Sequence, residues 1–365
     1  MSKPLRPTWA TVNLDALWQN YTTFKTASNK DLIPVIKADA YGHGAKIVYR
    51  FLYEKGLRYF AVSLVEEALE LRALGLDTDI LVMGACLADQ LELIHAHNLV
   101  MTVYDLEMLK HVMAWKKPLR FHLKIDSGMR RYGLSPSFET HQIISEIINY
   151  PHLKFEGIYS HFATADLDDD FYQKQLDVFS SFVSDLSIKP PMIHLSNSSS
   201  IHKHEKTFDF TTHARLGISL YGLSLDESHP PLIPVMSLMS RIVQIQSLNP
   251  GDGLGYGQTY QAKSHERIGL IPIGYADGWI RKNKHHDVLI NDKRYALVGN
   301  ICMDTSFVKI DSSIQKGDTV ILFGSSLSVD EVAMRLETIH YEILTTITKR
   351  VPRIYIKDGQ TYDPC

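Results

Sequence analysis

Pro34-Val35-Ile36-Lys37-Ala38-Asp39-Ala40-Tyr41-Gly42-His43-Gly44 is the stretch on which the fold turns. The apolar run 32–36 reads as a buried strand, ends in one lysine and breaks into a loop with two glycines. Residues 45–57 then carry helical spacing, so the unit reads strand, loop, helix. A lysine at the carboxyl end of a buried parallel strand is costly to keep charged and easy to deprotonate. That suits an amine that forms a Schiff base with an aldehyde. The alternative is a lysine whose stem follows the strand end and whose ammonium stays in water.

The same rhythm extends outward from this unit. Strands are expected at 32–36, 59–63, 80–83, 100–103, 119–125, 155–160, 192–195 and around Ala214, with helical segments between them, among them 65–74, 87–97, 106–115, 138–149 and 172–186. Eight strands alternating with seven helical segments over ~200 residues is the pattern of a (β/α)8 barrel of the TIM type. Thr8 to Leu14 reads as a further strand, followed by a helical stretch at 15–26. After Tyr221-Gly222 the texture changes: His229-Pro230-Pro231 and Pro234 mark a linker. Short β-prone runs follow at 242–248, 268–273, 288–290, 296–298, 305–310 and 319–323, with a single helix at 329–339. The expected division is an N-terminal strand at 1–13, a barrel at 14–232 and an all-β domain at 233–365. A chain of 365 residues exceeds the ~250–300 that one core usually serves, which agrees with two domains.

Composition narrows the function classes. With 45% hydrophobic and 22% charged residues and a net charge of −3, the chain reads as an ordinary globular protein with no electrostatic case for nucleic acid or an anionic membrane. Met1-Ser2-Lys3-Pro4 opens no apolar signal core, and no run approaches the ~18 apolar residues of a membrane span. Cys86, Cys302 and Cys365 are widely separated and suggest no disulfide framework, so a reducing cytoplasm fits. His202-Lys203-His204 and His285-His286 have no Cys, Asp or Glu partner at a familiar ligand spacing. No metal is expected there.

The stretch from Val35 to Gly44 resembles the pyridoxal-phosphate signature of bacterial alanine racemases, with Lys37 at the Schiff-base position. The resemblance runs from Trp9 to Tyr355. It implies a fold-type-III enzyme whose N-terminal strand joins the β domain, a homodimer with shared active sites, and interconversion of L- and D-alanine that supplies peptidoglycan synthesis. Lys124-Ile125-Asp126-Ser127-Gly128-Met129-Arg130-Arg131 is similar to the family's Lys-x-Asp-x-Gly-Met-x-Arg. Taken alone, Arg131 could equally be a surface loop arginine. The resemblance makes it the group that braces the cofactor's phenolic oxygen and receives a substrate carboxylate, a task its planar fork suits. The lysine matching Lys124 is often carbamylated in the family, and Arg130 replaces a smaller residue.

His161 resembles the family histidine that stacks on the pyridine ring, and Asp166 lies near the access channel. His194-Leu195-Ser196-Asn197-Ser198-Ser199 is on its own terms a helix cap or an anion site. By resemblance Asn197 and Ser198 bind the cofactor, Ser198 at its phosphate, with Tyr41 adding a hydroxyl. Arg215-Leu216-Gly217-Ile218-Ser219-Leu220-Tyr221-Gly222 resembles Arg-Pro-Gly-Ile-x-x-Tyr-Gly, so that Gly217 and Ile218 would offer N–H groups to the phosphate; Leu216 replaces a proline. Arg215 would face the pyridine nitrogen. Arginine is not deprotonated in proteins and donates a proton poorly, so that nitrogen stays bare and the cofactor is a weaker electron sink than it is opposite an aspartate. Immediate reprotonation of the substrate, hence racemisation, is favoured.

Racemisation needs an acid/base on each face of the α-carbon, and Lys37 supplies one. Gly251-Asp252-Gly253-Leu254-Gly255-Tyr256-Gly257-Gln258-Thr259-Tyr260 lacks the Lys-Ser/Thr of a P-loop and alone reads as a β-domain turn. It resembles the family's Gly-Tyr-Gly-x-x-Tyr, which makes Tyr256, from the partner subunit, the second base. A tyrosine with an ordinary pKa near ~10 needs a neighbour to act so, and His161 with Arg215 is the candidate relay. The resemblance also places Tyr275 and Arg281 in the access channel and the Met303 backbone N–H near the substrate carboxylate. Asn300 stands where an arginine is common, and Lys349 where some members carry a tyrosine that narrows the pocket. The competing readings are a broad-specificity or serine racemase, a decarboxylase of similar build that Arg215 argues against, and a non-catalytic cofactor carrier, which would need neither the β domain nor Tyr256.

Overall fold

The structure, a computed structural model, describes residues 5–167, 169–203, 209–225 and 231–362. Met1 to Pro4, His204, the His229-Pro230 pair and Cys365 lie outside the described residues, as does the side chain of His202. The chain divides into two compact units, one of Trp18–Ala40 and Ala45–Leu232, the other of Met1–Leu17, Tyr41–Gly44 and Ile233–Cys365.

Strand β1 (Thr8–Asn13) belongs to the second unit. The first unit is built on β2 (Asp31–Pro34), β3 (Tyr59–Val62), β4 (Asp79–Val82), β5 (Val100–Val103), β6 (Leu119–Lys124), β7 (Leu153–Tyr159), β8 (Met192–His194) and β9 (His213–Leu216). They form one parallel sheet in the order β2-β9-β8-β7-β6-β5-β4-β3. Strands such as Asp79–Val82 and Val100–Val103 are buried on both faces, which is why they read as continuous apolar runs rather than as alternating patterns. The two ends of the sheet meet just before Lys37: Val35 bridges Ala61, the Ile36 N–H donates to the Ala61 carbonyl at 2.9 Å, and the Val35 N–H to that of Leu216 at 2.9 Å. Lys37 thus leaves the sheet at the seam that closes the barrel.

Among the described residues, helical segments follow the strands in turn. The one at Ala45–Glu54 turns Val48, Tyr49, Phe51 and Leu52 inward on one face, and those at Leu106–Ala114, Phe138–Glu146 and Asp170–Ser184 are N-capped by the side chains of Asp105, Ser137 and Asp169.

In the second unit β1 pairs antiparallel with Met236–Arg241 and parallel with Arg353–Lys357, inside a seven-stranded sheet. The expectation that the N-terminal strand joins the β domain is met. A three-stranded sheet of Gln244–Leu248, Glu266–Ile271 and Ser306–Ile310 stands beside a short hairpin, Gly253–Leu254 with Tyr260–Gln261. The hairpin is anchored by Leu254 in a cluster with Leu248, Ala262, Ile268 and Val298. The single helix expected at 329–339 is two helices, Val329–Leu336 and His340–Thr346. Glu337 takes a left-handed φ of 59° that ends the first.

Candidate active site

The signature loop departs from its expected form. Lys37–Tyr41 is a left-handed helical turn: Ala38, Asp39, Ala40 and Tyr41 have φ of 50–54°, and the Ala40 N–H donates to the Ile36 carbonyl at 3.0 Å. For L-residues this costs roughly 1–2 kcal/mol each, so neighbouring groups must hold it. Glu67 does much of this. Its carboxylate accepts the Ala38 N–H at 2.6 Å and those of Ser63 and Leu64 at 2.8 and 3.1 Å. Asp39 accepts the Ala45 N–H at 2.8 Å and so starts the next helix. Gly44 (φ 94°) is required by space, because a Cβ there would lie 1.8 Å from the Tyr355 hydroxyl. Tyr41 and Gly44 belong to the β unit, where the Tyr41 ring lies 6.0 Å from that of Tyr341.

Four cations gather at the carboxyl ends of the barrel strands. Lys37 is partly buried, and its pKa is lowered by burial first and then by Arg131 and Arg215, with Glu67 opposing. Lys124 is 5% exposed, and burial with the same two arginines and Lys37 brings its pKa down to about 7. Its ammonium stands 5.5 and 5.7 Å from the rings of Tyr132 and Tyr159. Arg131 is exposed, while Arg130 turns to Asp126, 3.7 Å away. His161 is held well below the ordinary imidazole pKa by burial and by all four cations, so it is neutral. Positive charge concentrated in this way, with Asp126 and Glu67 as opposing charges, is a site for an anion.

Arg215, 3% exposed, is spread over inward acceptors. One Nη donates to His194 Nδ1 at 2.7 Å and to the His194 carbonyl at 3.1 Å. The other donates to the carbonyls of Ser160 and Leu195, both at 2.8 Å, and to His161 Nδ1 at 3.3 Å. Around Ser198 the polar groups are engaged with neighbouring backbone. Asn197, expected to bind cofactor, caps the helix Ser198–Lys203 by accepting the Ser200 N–H at 3.2 Å. The buried Ser198 hydroxyl accepts the N–H groups of Gly217 at 3.0 Å and Ser219 at 3.4 Å. The Ile218 N–H lies between these two in the chain, at the first position of the 3-10 turn Ile218–Tyr221. Leu216 is buried at the end of β9. An amine, a fixed cation, and a hydroxyl with backbone N–H groups fit the aldehyde, ring nitrogen and phosphate of pyridoxal phosphate.

The remaining expected residues are carried by other elements. The Asp166 carbonyl accepts from Lys203 at 2.9 Å in the loop after β7. In the β unit, Tyr256 is 73% exposed on a turn between Gly255 (φ 65°) and Gly257 (φ 72°), where the Asn300 amide donates to its carbonyl at 2.9 Å. Tyr275 and Met303 are exposed on adjoining turns, joined by the Ala276 N–H to Met303 carbonyl bond at 3.1 Å. Arg281 opens the short 3-10 turn Arg281–Asn283, and Lys349 is exposed. His286 is buried against Trp279, with ring centres 5.6 Å apart, and no group of three or more His, Cys, Asp or Glu among the described residues could hold a metal. Cys86 and Cys302 are free thiols. No described helix is long and apolar enough to cross a membrane. Sequence reasoning missed Glu67, although a glutamate three residues into a helix is a known capping signal. It also missed Tyr59 and His122, which link to Arg215 through His194.

Fold and site together describe a two-unit barrel protein with cationic side chains gathered at the carboxyl ends of its parallel strands. Comparison with known families agrees: residues 12–225 match the alanine racemase N-terminal domain and residues 235–355 the alanine racemase C-terminal domain. The alanine racemase of Geobacillus stearothermophilus is 39% identical over 368 residues, covering 96% of this chain and 94% of the relative. The solved alanine racemase of Clostridium difficile 630 superposes with a TM-score of 0.93 at 36% identity, covering 99% of this chain and 98% of that one. A histidine racemase from Leuconostoc mesenteroides subsp. sake follows at 0.89 and 26%, covering 97% and 99%. The chain belongs to the alanine racemase family, an isomerase family.

Proposed function

We propose that this protein interconverts L- and D-alanine with pyridoxal phosphate as cofactor. The observation that carries the reading is the set of four cations, Lys37, Lys124, Arg131 and Arg215, around a neutral His161 at the carboxyl ends of the barrel strands. A phosphate and a substrate carboxylate are the anions that such a set serves. Bound there, pyridoxal phosphate would supply an aldehyde for the Lys37 amine and a ring that takes up charge from the substrate's α-carbon.

The chain's own residues do the rest. Ser198, Gly217 and Ile218, with the Tyr41 hydroxyl, hold the phosphate. Arg215 leaves the ring nitrogen unprotonated because a guanidinium does not give up a proton at neutral pH. His161, neutral, lies against the ring. Arg131 and the Met303 N–H receive the carboxylate. Lys37 Nζ moves the proton on one face of the α-carbon, and Tyr256 of a second copy moves it on the other. Its high exposure fits a residue that another subunit covers. The working unit is therefore a homodimer in the cytoplasm, supplying D-alanine to peptidoglycan synthesis, with no nucleic acid or membrane partner. Asp166, Tyr275 and Arg281 line the access route, with Asn300 and Lys349 as its departures.

A screen of L-amino acids with the holoenzyme and chiral chromatography tests this reading. D-alanine should form at the highest rate, with serine next. Lys349 and the likeness to a histidine racemase favour a wider pocket as the second reading, so histidine belongs in the screen. Absence of any D-product rejects both readings.

Lys124 adds a second test. An amine with a pKa of about 7 is largely unprotonated at pH 8. Its lone pair can attack dissolved carbon dioxide and lose one proton, leaving a carbamate anion among three cations. With ¹³C-bicarbonate at pH 8 a carbamate resonance should appear and vanish in Lys124→Gln. A resonance that persists in that variant would place the carbamate elsewhere.

A further inference from the structure

We infer that His122 and Tyr59 are positioning residues for Arg215, acting through a one-way chain of hydrogen bonds in the barrel interior. Its catalytic meaning rests on the proposed placement of Arg215 at the ring nitrogen, but the chain itself follows from geometry alone. The links are Arg215 Nη to His194 Nδ1 at 2.7 Å, His194 Nε2 to His122 Nδ1 at 2.9 Å, and His122 Nε2 to the Tyr59 hydroxyl at 3.0 Å.

Arginine has donors and no acceptor, so His194 Nδ1 must be bare. A neutral imidazole with a bare Nδ1 carries its proton on Nε2. His194 Nε2 therefore donates to His122 Nδ1, which must also be bare. By the same step His122 Nε2 carries the proton and donates to the Tyr59 oxygen. Running the chain in the opposite direction would leave His194 accepting at both nitrogens, as an imidazolate, which is not available near neutral pH. His161, which also receives an Arg215 N–H on Nδ1, falls into the same tautomer. One arginine thus dictates the tautomer of three histidines. In return, His122 and Tyr59 remove the alternative in which His194 would turn a proton toward the guanidinium.

The surroundings are shaped for this. His122 and His194 are fully buried, and the His194 ring stacks on Tyr159 at 4.7 Å and 9°, with the Arg215 guanidinium 5.1 Å from the same Tyr159 ring. The pairing of β6 with β7 slips between Phe121 and His122, which leaves Glu156 as the extra residue and sets Gly157 opposite His122. A Cβ on Gly157 would lie 2.4 Å from the His122 ring. Burial and nearby positive charge hold His122 down to about 3 and His194 well below the usual range, in keeping with neutral rings. At the far end, Arg120 joins Asp79 at 2.5 Å and Glu156 at 2.7 Å beside Tyr59.

The test is ¹⁵N NMR of histidine-labelled holoenzyme near pH 7.5, with assignments from single substitutions. His122, His161 and His194 should each show a protonated Nε2 and a bare Nδ1. In His122→Leu, His194 should populate both tautomers, and kcat should fall about tenfold with KM within twofold. His122→Asn, which can present an oxygen near the Nδ1 position, should restore most of kcat. Tyr59→Phe, a smaller perturbation, should broaden the tautomer signal of His122 without loss of fold. A proton on His194 Nδ1 in the wild type would overturn the inference whatever the enzyme's activity. So would a His122→Leu variant whose His194 tautomer and kcat are unchanged.

Discussion

Lys37→Ala should lower racemisation by about four orders of magnitude or more while leaving the fold intact, with melting temperatures compared between cofactor-free proteins so that loss of bound cofactor does not enter. In the proposed function the amine does two jobs, holding the cofactor and moving a proton, and general acid–base work alone is worth ~10²–10⁴ in rate. Stability should not fall with activity. The loop's left-handed turn is held by the Glu67 carboxylate on the Ala38 N–H and by the Ile36 carbonyl on the Ala40 N–H, neither of which involves the Lys37 side chain. Removing an amine that burial, Arg131 and Arg215 all disfavour as a cation takes away repulsion, so the melting temperature should stay level or rise. Racemisation assays with added methylamine should recover a measurable fraction of the rate, since a small amine can enter the space left. A melting temperature that drops in step with activity would assign Lys37 a structural role instead.

The second large effect is on acid stability. His122, His194 and His286 are all at most 1% exposed and all have lowered pKa values, with burial the leading cause in each. As pH falls below ~6.5 the unfolded chain takes up protons at these rings and the folded chain does not, so stability present above 6.5 is lost as pH falls. For His122 the window extends down to about 3. Each such ring contributes up to ~1.4 kcal/mol per pH unit over the range in which it stays neutral in the fold while its unfolded counterpart is protonated. The lowered carboxylates, Asp277 and Asp330 among them, add their share only once the unfolded carboxyls begin to protonate near pH ~4. Urea midpoints at pH 7.5, 6.5, 5.5 and 4.5 should therefore show a plateau and then a steep fall. A flat profile down to pH 4.5 would mean that the rings titrate in the folded state.

How much of this could be read in the sequence follows from what each element depends on. The barrel was legible because buried parallel strands such as Ile80-Leu81-Val82 and Val100 to Val103 leave continuous apolar runs, and helices with one inward face separate them. Lys37 stood out because it ends such a run. The left-handed turn after it did not, since Ala38-Asp39-Ala40-Tyr41 contains no glycine and its conformation depends on Glu67, 29 residues further along the chain from Ala38. His122 was hidden in Leu119-Arg120-Phe121-His122-Leu123, where it passes for one more core residue. Only the strand slip opposite Gly157 sets it toward His194. Asn197 and Ser198 read alike as polar cap residues, and it took tertiary partners, Gly217 and Ser219, to separate them. The helix break at Glu337 is a local φ that no glycine or proline announces.

The most direct measurement of the central claim is where the cofactor attaches. The purified protein, loaded with pyridoxal phosphate, should be reduced with borohydride, digested and mapped by mass spectrometry. A single phosphopyridoxyl group on Lys37 is the expected result. Attachment at Lys124 or Lys46, or no attachment at all, would contradict it.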